Sequence, residues 1–169
     1  MRPEDIEYFS VFLKEFQAET DRGTALVGAA LLDKQLHDLL RSHFLEKKAS
    51  SELLEGGFAP LGTFSARAKV TYCLGLITDY EYRELQLIRK VRNVFAHQTH
   101  GTTFQNAAVA SLCGKLHAFM PEPRTSRLKF IDSVICTSLA LWYRPEYAAD
   151  LKAKQRQWPY PPQAPRPDQ

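Results

Sequence analysis

The side chains with most chemistry to offer close one amphipathic run, Tyr80 to His97, where Arg92, Asn93 and His97 sit together. A histidine with a reference pKa of about 6.5 can move protons near neutral pH. A guanidinium can stabilise charge that builds on a phosphoryl group. In a catalytic reading, His97 is the general base on a ribose 2′-hydroxyl or the general acid for the leaving oxygen, and Arg92 stabilises the extra phosphoryl charge, with Asn93 beside it. Five residues subtend about 140° on an ideal helix, so the pair converges only if the helix unwinds near Phe95 or the Arg92 side chain wraps round. Arg92 also falls between Leu85 and Ile88 on the apolar arc. Burial there demands a carboxylate, a backbone carbonyl or a ligand phosphate as partner. In a structural reading, Arg92 ties its helix to another through an acid such as Asp33, and His97 caps the helix end.

Further polar residues are candidates for the same groove. Asp33, His37 and Arg41 follow one another at i, i+4 on a long helical segment, where solvated ion pairs are the plainer outcome. Arg67, with Lys69, lies just past Pro60-Leu61-Gly62 and offers an anion site. His100 and His117 have no partner at metal-ligand spacing, and no H-E-x-x-H, C-x-x-C, P-loop or G-x-S-x-G pattern occurs. Neither a metal nor a cofactor is expected.

The elements that must position these residues read as helices throughout. Ile6, Phe9, Phe12, Leu13 and Phe16 give a helix over Pro3 to Ala18, with Pro3 and acids in its first turn. Asp21 is the expected N-cap of a second helix to about Lys47, with Ala29, Leu32, Leu36, Leu39 and Phe44 on its inner stripe. Residues 49–62 read as loop. Thr63 caps a helix to Leu76, with Val70, Leu74 and Ile77 in line. Thr78-Asp-Tyr-Glu81 is a capping box that starts the helix ending at His97. A shorter helix is expected over Gln105 to Phe119, stopped by Pro121 and Pro123. Another follows from Thr125 or Ser126, with Leu128, Ile131, Ile135, Leu139 and Trp142 on one face. Arg144-Pro145 interrupts it before a last turn or two over Glu146 to Gln157. No strand pattern, repeat or heptad run appears. The reading is all-α, a compact single-domain bundle of about five to seven helices over residues 1–158. A flexible tail over 159–169 carries five prolines in eleven residues.

Composition sets the outer limits. With 169 residues, 44% hydrophobic and 24% charged, the chain fits one soluble domain. A net charge of +3 gives little support to nucleic-acid binding by charge alone. Cys73, Cys113 and Cys136 are scattered in apolar segments and fit reduced thiols. Glu4, Asp5 and Glu7 stand where a signal peptide needs positive charge, and no run approaches the ~18 apolar residues of a membrane span. A cytoplasmic location follows as the expectation.

Two resemblances rest on these residues. Pro60-Leu61-Gly62, Ser65, Arg67, Lys69, Tyr72, Leu74-Gly75, Ile77 and Glu81-Tyr82 resemble the mannitol operon repressor family. That resemblance implies an all-helical regulator without a DNA-reading module of its own, acting through a protein partner, as a homodimer. The junction from Leu74 to Glu81 is the nearest thing to a helix-turn-helix, but the apolar arc of the helix after it is too wide for an exposed recognition helix. Separately, Arg92-Asn93-Val-Phe-Ala-His97 resembles the R-x4-H signature of HEPN domains. It implies a metal-independent ribonuclease with RNA as substrate, or a non-catalytic relative that binds a nucleotide or RNA end.

Overall fold

The computed structural model describes residues 1–117 and 124–159. Residues 160–169, nearly all of the expected proline-rich tail, lie outside the described residues, as do Phe119, Pro121 and Pro123, but the helix expected to run to Phe119 already ends at Cys113. The described residues form eight helices and no strand: α1 (Pro3–Ala18), α2 (Asp21–His43), α3 (Lys48–Leu54), α4 (Phe64–Cys73), α5 (Asp79–His97), α6 (Ala107–Cys113), α7 (Ser126–Leu141) and α8 (Arg144–Asp150). The all-α expectation holds, and the helix count exceeds it by one short element. Residues 48–54 fold as α3 despite their serines, because Leu54 is buried and tertiary packing outweighs weak local propensity. Pro145 opens α8, in the first turn where a missing N–H costs nothing. That helix then ends at Asp150, short of the expected Gln157.

α2 is the central rod. It packs against α4, α5, α7 and α8 and buries Ala25, Ala29, Leu32, Leu36, Leu39 and Leu40. Its N-cap is Thr20, whose Oγ1 accepts from Gly23 N at 3.0 Å, and not Asp21. Asp21 is thereby free to accept from Phe104 N at 3.0 Å and to pair with Arg127 at 3.2 Å. α5 lies antiparallel to α2 and buries Leu85, Ile88, Val91 and Phe95. α7 is wedged among α2, α5 and α6, so it buries more than one side. Phe130, Ile131, Val134 and Leu141 are core, whereas Leu128 and Leu139, expected on the inner face, are 36% and 41% exposed.

The turn between α4 and α5 is built in three layers. Gly75 takes φ +70°, and the bonds Gly75 N→Tyr72 O (2.9 Å) and Leu76 N→Thr71 O (3.0 Å) close a Schellman motif on α4. Thr78 and Glu81 then form the capping box of α5. Above them Tyr72 and Tyr82 stack at 4.4 Å, and Tyr72 donates to Asp79 Oδ1 at 2.7 Å.

Glu81 is buried and does more than cap. Besides the Thr78 amide at 2.7 Å it accepts from both guanidinium nitrogens of Arg144, at 2.7 and 3.1 Å. Arg144 also donates to the Leu76 and Ala140 carbonyls, so one ion pair joins the starts of α5 and α8 to the end of α7. Burial pushes the Glu81 carboxyl up, but the hydrogen bonds from Arg144 and Thr78 outweigh it and hold it below the ordinary range. A second carboxylate, Glu84, is 1% exposed and accepts from Ser133 Oγ at 2.5 Å and His117 N at 3.1 Å.

Removing Arg144 leaves a buried carboxylate without its cation, so Arg144→Ala should cost about 3 kcal/mol in urea unfolding. A depressed native pKa contributes stability above the unfolded value of about 4.3, and that contribution disappears as pH falls through the lower native value. The stability difference between the natural chain and Glu81→Gln should therefore be full near neutral pH and shrink below about pH 4. A difference that stayed constant with pH would contradict this account.

Candidate functional site

Near its C-terminal end, α5 leaves the core on the side facing the start of α4. Val91 and Phe95 carry the inner face there, while Ala29 and Ala30 on α2 are too small to fill the opposite space. The result is a groove of about 540 Å³ between Leu26, Ala29, Ala30 and Asp33 of α2, Gly62 to Ser65 at the start of α4, and Arg89, Arg92 and Asn93 of α5. The turn into α4 is tight. Gly62 N bonds Ala59 O at 2.8 Å, and a Cβ on Gly62 would lie 2.9 Å from that same oxygen.

Arg92 opens onto this groove and is exposed, not buried among leucines. A helical wheel places it on the apolar arc, but no helix covers that part of the arc. Its guanidinium donates to Asn93 Oδ1 at 3.1 Å. Arg89 donates twice to Gln86 Oε1, at 3.3 and 3.1 Å. Asp33 pairs with Arg67 at 2.8 Å and not with Arg92. Arg67 in turn donates to Leu54 O at 3.3 Å, which latches the end of α3. The structure thus brings Asp33, Arg92 and Asn93 to one groove, with Arg67 reaching it through Asp33.

His37 and Arg41 do not join them. His37 Nδ1 lies 3.1 Å from Asp38 Oδ1, and Lys34 bonds the other Asp38 oxygen at 2.5 Å. Burial pushes the Asp38 carboxyl up, but these two partners prevail and lower it. Arg41 pairs with Glu55 at 3.3 Å and borders a separate cavity of about 220 Å³ beside α3. These contacts lie away from the groove that Arg92 lines.

His97 is exposed at the last residue of α5. The helix runs unbroken to it, with Gln98 N→Val94 O at 3.2 Å, so the separation of about 140° from Arg92 persists. The helix does not unwind near Phe95, and the Arg92 side chain bonds Asn93 and does not wrap toward His97, so the geometry gives the ribonuclease reading no support. Nor does His97 close the helix end. Arg22 does, from the first turn of α2, donating to Phe95 O at 2.6 Å, Gln98 O at 2.6 Å and Thr99 O at 3.3 Å. The sequence reading missed Arg22. The available signal was a cation in the first turn of a helix, where the local dipole disfavours it and a carbonyl end elsewhere does not.

Among the described residues no group of three or more His, Cys, Asp or Glu side chains could hold a metal ion. Burial pushes the Cys113 thiol up to about 12 and raises that of Cys136, while Cys73 is exposed at the end of α4. No described helix is long and apolar enough to cross a membrane.

The bundle is an all-α scaffold that sinks the apolar face of α5 into its core and carries a groove with two arginines beside it. The family model described as MtlR, mannitol repressor, matches residues 10–134, and the chain belongs to that family. It is 32% identical over 93 residues to the mannitol operon repressors of Escherichia coli K12 and of Escherichia coli O6:H1 strain CFT073. Those 93 residues are 55% of this chain and 47% of each relative, so the chain spans about half the length of the curated relatives it matches. The fold is similar to that of a chain in the X-ray structure of the MtlR-HPr complex from Escherichia coli. The TM-score is 0.57 at 24% identity, covering 81% of this chain and 95% of that one.

Two substitutions separate surface from structural roles. Arg92→Ala should leave the unfolding free energy within about 0.5 kcal/mol of the natural chain. Arg22→Ala should cost about 1–3 kcal/mol, because it removes charge-assisted bonds to three carbonyls. Urea titration of both variants tests the assignment, and the reverse order of effects would refute it.

Proposed function

We propose that this chain is a transcriptional regulator that acts through a protein partner and does not read operator DNA itself. The observation that carries the proposal is membership of the mannitol repressor family over residues 10–134. The packing of α5 supports it. A recognition helix meets base edges with its N-terminal residues, and the N-terminal turn of α5 is instead closed by the capping box and by the pairing of Glu81 with Arg144. Exposed Ile6, Tyr8 and Val11 on α1 supply apolar surface suited to protein contact. The similar Escherichia coli chain was crystallised in a complex with HPr, which makes HPr the partner to try first. The same reading takes the chain to be cytoplasmic and to work as a homodimer.

Calorimetric titration with HPr, alongside a gel-shift assay on a naked mannitol operator fragment, tests the proposal. Saturable heat with HPr and no shift at physiological salt are expected. A sequence-selective shift by the isolated chain would overturn it.

A further inference from the structure

The groove between α2, α4 and α5 holds positive charge that the fold does not use. Arg89 and Arg92 stand three residues apart on α5, so two like charges share one helical face, an arrangement that destabilises a helix on its own. Both guanidiniums bond amide oxygens, on Gln86 and Asn93, and among the described residues neither meets a carboxylate. The acid in the wall, Asp33, has its charge matched by Arg67, 2.8 Å from Oδ2, while its buried Oδ1 accepts no hydrogen bond from the described residues and is open to a ligand hydroxyl. Across from the arginines the first turn of α4 faces the same space, adding the positive end of a helix dipole and the Ser65 hydroxyl.

We propose that this groove binds a small organic phosphate, a monoester of about sugar-phosphate size, with its phosphate between Arg89 and Arg92. The forked guanidinium matches phosphate oxygens in pairs, and a dianion cancels two cations where a carboxylate cancels one. About 540 Å³ is room for such a molecule. Thr63, Ser65 and Asn93 line the groove; the Thr63 oxygen caps α4 and the Asn93 oxygen accepts from Arg92, which leaves the two hydroxyl protons and the Asn93 NH2 as donors for a hydroxylated body. The site lies within a single chain and requires no protein partner, so it stands or falls apart from the regulatory reading.

Calorimetry on the full chain at fixed ionic strength provides the test, with glucose 6-phosphate as probe and inorganic phosphate and glucose as comparators. Saturable binding is expected for the ester, weaker binding for inorganic phosphate and none for glucose. The double variant Arg89→Gln/Arg92→Gln should lose at least tenfold in affinity, whereas Lys90→Gln, on the other side of α5, should match the natural chain. Ser65→Asp puts a negative charge in the groove at a helix start that tolerates it, and should weaken the same ligand. Undiminished binding by the double variant and by Ser65→Asp, or no saturable binding of either phosphate at millimolar concentration, overturns the assignment.

Discussion

A carboxylate that is shut away from water and yet stays charged holds this architecture in place. Glu81 satisfies the free end of α5 and at the same time receives both prongs of Arg144, whose remaining donors reach two further carbonyls. Desolvating an ion is expensive unless its partner and hydrogen bonds are fixed in advance. Here the capping box fixes the acid and the α7–α8 junction fixes the base. The pair therefore specifies the angle at which the last helices close over α2 and α5. Glu84 repeats the device on a smaller scale, with a hydroxyl and a backbone amide as partners.

Much of the architecture was legible in the sequence because helix boundaries are written in local chemistry. Pro3, Thr63, Thr78 and Thr125 each mark a helix start that the structure reproduces. The inner stripe of α2 followed from spacing as far as Leu39, whereas Phe44 lies past the helix end at His43 and is only partly buried. What periodicity could not convey was which neighbours cover which arc. Arg92 sits among leucines on a wheel, but the wheel does not know that α2 offers two alanines opposite it. The buried acids on α5 are Glu81 and Glu84, whose side-chain partners Arg144 and Ser133 lie 63 and 49 positions away. Separation of that kind leaves no local trace. Leu128 and Leu139 misled for the same reason, since α7 is packed on several sides.

The residues that carry the family resemblance divide into two groups by what they touch. Tyr72, Leu74-Gly75, Ile77 and Glu81-Tyr82 build the corner between α4 and α5, through a left-handed glycine, a stacked tyrosine pair and a capping box. Their task is folding. Gly62 and Ser65 line the basic groove, and Arg67 neutralises its acid. One stretch of sequence thus specifies both a capped, hydrogen-bonded turn and the rim of a cavity. The helix between them, α4, is only ten residues long, so the two features are mechanically one piece.

The three cysteines are unequal in a way that bears on how the molecule can be observed. Cys113 is sealed in the core with its proton firmly held, and Cys136 is partly covered, whereas Cys73 faces solvent beside that same corner. A maleimide dye therefore has one ready attachment point on the unaltered chain. It would sit at the end of α4, about one helix length from the groove, where fluorescence anisotropy can follow association without any engineered handle.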